Sequence, residues 1–143
     1  MFALIGCTKT KQAVKCAASD MYSASQLYTA ASAYAAAHGL TRYTLSARHG
    51  LLADAVEIEP YNDTLTRLSD LQRLKWASRV YGQIAATIPA GAHIVMLCGK
   101  DYREPLTQLL ESGGYTVSCP VAGLGIGKQK QFYSLAVKGN HRA

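Results

Sequence analysis

No two cysteines of this chain stand at Cys-x-x-Cys spacing. The four present, Cys7, Cys16, Cys98 and Cys119, are scattered, which argues against a zinc ribbon or a dithiol redox motif. No apolar stretch approaches the ~20 residues of a membrane span, so no membrane partner is expected. The start, Met1-Phe-Ala-Leu-Ile5, is too short an apolar run for a secretory leader and has no basic residues before it. The expected compartment is therefore a reducing cytoplasm with free thiols. Walker, zincin, kinase and nucleophile-elbow patterns are missing, and no cofactor or metal is expected. Acidic side chains are scarce, 9 against 15 Lys and Arg, for a formal charge of +6. That excess favours phosphates, nucleotides or nucleic acid as partners, or serves solubility alone.

What remains is the make-up of one ordinary domain. The chain has 143 residues, 49% of them apolar and 17% charged, which bounds it to a single domain over residues 1–143. It can bury roughly two-thirds of its unfolded surface. Read by hydrophobic period, residues 2–6 form a buried strand and the Ala-rich residues 24–38 a helix stopped by Gly39. Residues 42–46 form a second strand, followed by a long polar loop from Ala47 to Leu68. Ser69 and Gln72 have capping-box spacing at the start of a second helix. Its apolar face is expected to run through Leu71, Leu74, Val80 and Ile84, with Trp76 and Tyr81 at the edges. Residues 93–98 are a third strand, about 102–111 a third helix, 115–119 a fourth strand and about 128–137 a last helix. Strands alternating with helices predict an α/β fold, three layers deep (α/β/α), with a central, mainly parallel four-stranded sheet.

In such sheets ligands bind beyond the carboxyl ends of the strands, and the residues capable of chemistry gather in the four loops leaving those ends. The first loop carries Cys7, Thr8, Lys9, Thr10, Lys11, Asp20 and Tyr22. A thiol and ammonium groups can bind an anion or supply a nucleophile, or be a strand-ending Cys with solvated lysines. The second carries Ser46, Arg48, His49, Glu57, Glu59, Tyr61, Asn62 and Asp63. A His directly after a strand can act as general acid or base, or simply shape the loop. Glu59 and Asp63 can activate water or stabilise a sugar cation, and Tyr61 can stack on a base, or the three can order the loop. The third carries Gly99 and Tyr102 at a helix start able to meet an anion. The fourth carries Gly123, Gly125 and Gly127, a glycine-lined wall rather than a dinucleotide fingerprint. The basic tail Lys138–His141–Arg142 is a solvated end or brushes a phosphate backbone.

Taken together, Cys7-Thr-Lys-Thr-Lys11, Asp20-Met-Tyr22-Ser23, Leu45-Ser-Ala-Arg-His-Gly-Leu51, Ile58-Glu-Pro-Tyr61, Tyr102-Arg-Glu-Pro-Leu106 and Gly123-Leu-Gly-Ile-Gly127 resemble small uncharacterised domains related to the YaaA (peroxide-stress, DNA-binding) proteins, the DUF6884-like family. More distantly, Cys7-x-x-x-Lys11 followed by Tyr22-Ser23 resembles the core of archaeosine synthase, which has a uracil-DNA-glycosylase-like fold. The resemblance implies a site for a nucleobase or nucleoside, within nucleic acid or free. An enzyme acting on a base in DNA must flip it out of the stack.

The expected function is a nucleobase- or nucleotide-recognising enzyme, an N-glycosidase or base-modifying activity on nucleic acid. The alternative is a non-catalytic nucleic-acid or nucleotide-binding module. Under the enzyme reading His49, Asp63, Glu59 and Lys11 are catalytic. Cys7, Thr8, Lys9, Tyr22, Ser46, Arg48, Tyr61, Gly99, Tyr102, Gly123 and Gly125 bind the ligand.

Overall fold

Alternation along the strands decides the architecture. In the computed structural model, which describes residues 1–9 and 11–141 with side chains up to Val137, β1 (Phe2–Gly6) turns Ala3 and Ile5 to one core and Leu4 to another. The period of two means that a strand apolar at every position must be covered on both faces. On one face lie α2 (Gln26–Ala37), through Tyr28, Ala31 and Ala35, and α5 (Ile126–His141), through Tyr133. On the other lie α3 (Asp70–Thr87) and α4 (Lys100–Ser112), through Trp76, Ala77, Val80, Ile84, Leu106 and Leu110. Each large aliphatic side chain removed from water in this way contributes about 1.5–3 kcal/mol.

The central sheet has five strands, one more than the sequence implies. Its order is β4-β3-β1-β6-β7, where β3 is Thr41–Ser46, β6 His93–Leu97 and β7 Thr116–Ser118. Those three and β1 are parallel. The extra strand, β4 (Gly50–Leu52), pairs antiparallel with β3. It lies inside the stretch expected to be a long polar loop, and its three residues are too few for periodicity to reveal. The same stretch contains β5 (Glu57–Ile58), which pairs antiparallel with β2 (Cys16–Ala17) ahead of the short helix α1 (Ala18–Met21). This small ladder fastens the first site loop to the second. Ala18 N–H donates to Val56 O at 2.7 Å and Ser19 N–H to Asp54 O at 3.1 Å.

The capping box at Ser69 and Gln72 forms as expected. The helix behind it packs through Trp76, Ala77, Val80 and Ile84: Val80 and Ile84 are buried as expected, whereas Leu71 and Leu74 are exposed and Trp76, expected at the edge, is buried. The last helix runs longer than 128–137 at both ends. Thr10, Arg142 and the side chains of Lys138 and His141 lie outside the described residues.

From β1 the chain passes to β3 on one side and later returns to β6 on the other. The order therefore reverses between β1 and β6, and their carboxyl ends open a crevice there. The two strands approach closely: a Cβ on Gly6 would stand 2.9 Å from the Cβ of Cys98. All four cysteines are unbridged. Among the described residues no helix is long and apolar enough to cross a membrane.

Candidate functional site

Ser46, the last residue of β3, organises the strand-end cluster. Its buried Oγ accepts backbone N–H bonds from Arg48 at 3.2 Å and His49 at 2.9 Å. These bonds close the tight turn that sends the chain back as β4. The Ser46 hydroxyl donates to Tyr61 Oη at 2.7 Å, and Tyr61 Oη shares a hydrogen bond with Tyr22 Oη. Tyr22 and Tyr61 are buried. Burial, the largest cause, pushes both phenols above their ordinary range, so both are protonated at neutral pH. Behind them the Trp76 indole N–H donates to Ser46 O at 3.1 Å.

The Lys11 ammonium lies over this pair, 4.8 Å from the Tyr61 ring centre and 6.0 Å from that of Tyr22. Among the described residues no carboxylate lies within ion-pair distance of it. His49 meets Tyr61 edge-on, with ring centres 5.4 Å apart and planes at 86°. Its Nε2 is buried and has no hydrogen-bond partner among the described residues. Burial lowers the imidazole pKa below its usual 6.5; Arg48 and Arg79 act in the same direction, and Asp63 opposes them. The ring is therefore neutral at pH 7. Gln83 secures this turn, its Nε2 donating to His49 O at 3.3 Å and its Oε1 accepting from Leu51 N at 2.9 Å.

At the end of β1, Cys7 Sγ lies 2.8 Å from Tyr102 Oη, and the Tyr102 ring stands edge-on to Trp76. Burial, again the largest cause, raises the Tyr102 phenol. A crevice of about 40 Å³ between the ends of β1 and β6 is lined by Cys7, Thr8, Gly99, Tyr28, Gln129 and Tyr133. Drug-sized ligand pockets run to roughly 300–1,000 Å³, so the crevice as it stands takes only a few atoms. A groove of about 370 Å³ lies between α4 and β7, lined by residues such as Arg103, Glu111 and Cys119; none of the expected site residues lines it.

Cys7, Lys11, Tyr22, Ser46, His49, Tyr61 and Tyr102 thus come together from three separate loops. Thr8 and Gly99 line the adjoining crevice. Lys9, Arg48, Glu59 and Asp63 are exposed; Arg48 contributes its backbone, and the Asp63 charge reaches the His49 imidazole. Gly123 and Gly125 are exposed in the turn before α5. No hydrogen bond or ring contact among the described residues joins Lys9, Glu59, Gly123 or Gly125 to the cluster. Among the described residues no group of three or more His, Cys, Asp or Glu could hold a metal ion.

Two participants were missing from the sequence reading. Trp76 looked like a helix-edge residue, yet it forms the floor between Ser46 and Tyr102. Gln83, three residues after a buried Val80, gave no signal at all. The model of a family of unknown function, DUF6884, matches residues 2–135. No curated protein and no solved structure matches the chain.

Proposed function

This chain belongs to the DUF6884 family, and we propose that it is a nucleobase- or nucleotide-recognising enzyme with an N-glycosidase-like, hydrolytic activity. The observation that carries the reading is the convergence of Lys11 and His49 on one tyrosine, Tyr61, at the strand ends. A planar base entering here takes the place of the Lys11 ammonium on the Tyr61 face. A cation–π contact on a buried ring such as Tyr61 is worth about 0.5–2 kcal/mol and base–aromatic stacking about 1–3 kcal/mol, so a base replaces the ammonium at little cost. The displaced lysine then serves a phosphate or another anionic oxygen.

For hydrolysis, Asp63 takes a proton from water as the water oxygen bonds to the sugar C1′. The C1′–N bond breaks, and its electron pair leaves with the base, which finally takes up that proton. The His49 Nε2–H, in that tautomer, donates a hydrogen bond to the departing base. Asp63 is preferred to Glu59 for the carboxylate role because its charge acts on His49. The reading keeps the resemblance to YaaA-related proteins and a cytoplasmic setting. It also keeps the uracil-DNA-glycosylase-like arrangement, which the four parallel strands with helices on both faces support.

The exposure of both carboxylates favours a second reading, a non-catalytic nucleotide- or nucleic-acid-binding module. The test is base release from single-stranded DNA, RNA and free nucleosides, followed chromatographically. Release that disappears in His49→Ala and Asp63→Asn, with binding retained, supports the enzyme. Binding without release from any substrate leaves the module.

A further inference from the structure

The two outer edges of the central sheet are finished differently. At the β4 edge the N–H of Leu51 is taken by Gln83 Oε1 at 2.9 Å. At the other edge, among the described residues, the sheet simply ends with β7. Thr116-Val117-Ser118 has no charge, proline or bulge of the kinds that blunt a free strand. Thr116 donates its N–H to Ala92 O at 3.1 Å, toward β6. Alternate residues of a parallel strand bond to opposite sides, so Ser118 also faces β6 and Val117 turns its N–H and C=O outward. Along this edge, beneath α4, runs the groove of about 370 Å³.

We propose that this edge pairs with a second copy of the chain, β7 antiparallel to β7 across a two-fold axis, so that the two central sheets continue as one. Val117 then lies on the axis and exchanges both its N–H and its C=O with the partner's Val117, a closed hydrogen-bonded pair. Charge selects a copy rather than a foreign strand. The α4 wall of the groove, Arg103, Glu104, Thr107, Gln108 and Glu111, is one helix face. Its cation stands at the Cys119 end, with Arg103 Nη1 3.9 Å from Cys119 Sγ. Four helical residues and two strand residues each advance about 6–7 Å, so Thr107 stands level with Val117 and Glu111 level with Tyr115. Rotation about Val117 therefore sets Arg103 against the partner's Glu111, and Glu111 against the partner's Arg103. An isologous interface requires this self-complementarity. Glu104 is already answered by Lys100 at 3.7 Å, whereas among the described residues neither Arg103 nor Glu111 has an ion-pair partner within the chain.

The test is sedimentation equilibrium of the full chain over a concentration series. It is repeated on Val117→Pro, Arg103→Glu, Glu111→Arg and the double variant Arg103→Glu/Glu111→Arg, each checked for an unchanged far-UV spectrum. Proline is tolerated on an edge strand where its nitrogen faces solvent, so Val117→Pro removes the bonds on the axis and keeps those of Thr116 and Ser118 to β6. The expected result is a dimer that Val117→Pro abolishes and that each single charge variant weakens at least tenfold, because two attractions become two repulsions. The double variant only exchanges the signs and restores it. Should Val117→Pro fail to fold, the charge variants decide alone, since Arg103 and Glu111 are both partly or fully exposed. A dimer indifferent to Arg103→Glu, or one that the double variant does not restore, overturns the proposal. A chain monomeric up to millimolar concentration also overturns it, and leaves the β7 edge to an extended segment of another protein. The nucleobase reading stands in every case, because none of its residues lines the groove.

Discussion

Ser46 and Tyr61 are joined side chain to side chain at 2.7 Å although fifteen residues separate them. That bond ties the last residue of a central strand to the start of the loop that leads from β5 to α3. Because the same Ser46 oxygen also receives the N–H groups of Arg48 and His49, it sets where both His49 and Tyr61 stand. The site loop is thus ordered from the sheet outward.

Replacing that serine removes three hydrogen bonds at once. Ser46 is fully buried, and an unsatisfied buried polar group costs about 1–3 kcal/mol. Ser46→Ala is expected to destabilise the fold by about 2–4 kcal/mol, the range for breaking a buried network. Urea unfolding checks this: the midpoint falls while the denaturant slope stays as it was. A loss under about 0.5 kcal/mol, the range of a surface substitution, would show that the turn is held by something else.

The imidazole beside Tyr61 makes stability depend on pH. The folded pKa of His49 is lowered, first by burial and then by Arg48, so below the unfolded value of about 6.5 the unfolded chain binds more protons than the folded one. Stability is full above that value and falls as pH drops through it toward the folded pKa. Denaturation midpoints measured across this window decline for the parent chain. They decline less for His49→Gln, which keeps the shape and loses the titration. Identical slopes in the two proteins would assign the pH dependence to other groups.

Gly50, at the start of β4, has a positive φ of 73°, and a Cβ there would meet Gln83 Oε1 at 2.1 Å. Left-handed backbone costs a non-glycine residue roughly 1–2 kcal/mol, and the displaced Gln83 would also release Leu51 N and His49 O. Gly50→Ala is expected to cost about 2–3 kcal/mol, that strain plus the lost hydrogen bonds, and to broaden the His49 ring signals in NMR spectra. Sharp, unshifted His49 signals would show that the Gln83 clamp is dispensable.

The elements that were legible in the sequence are those whose cause is local. The apolar runs at Phe2–Gly6 and His93–Leu97 exceed what a one-sided strand needs, and both form buried central strands. Ser69 and Gln72 carry a cap that needs no partner beyond four residues, and the cap forms. The gathering of Lys11, His49 and Tyr61 was readable as a set of strand-end loops, since a parallel sheet brings its carboxyl ends to one edge. The strands β4 and β5 were not readable. Two or three residues have no period, and their pairing depends on Ser46 turning the chain and on β2 lying alongside.

Residue types and order along the chain therefore determined the α/β class, the parallel core and the edge where the site gathers. Tertiary structure alone decided the fifth strand and the burial of Trp76 in place of Leu71 and Leu74. It also decided that Lys11 lies on Tyr61, and that the hydroxyls of Ser46, Tyr61 and Tyr22 join in one cluster. Those outcomes depend on contacts across tens of residues. In such contacts the packing of a neighbour, not the local propensity of the segment, selects the conformation.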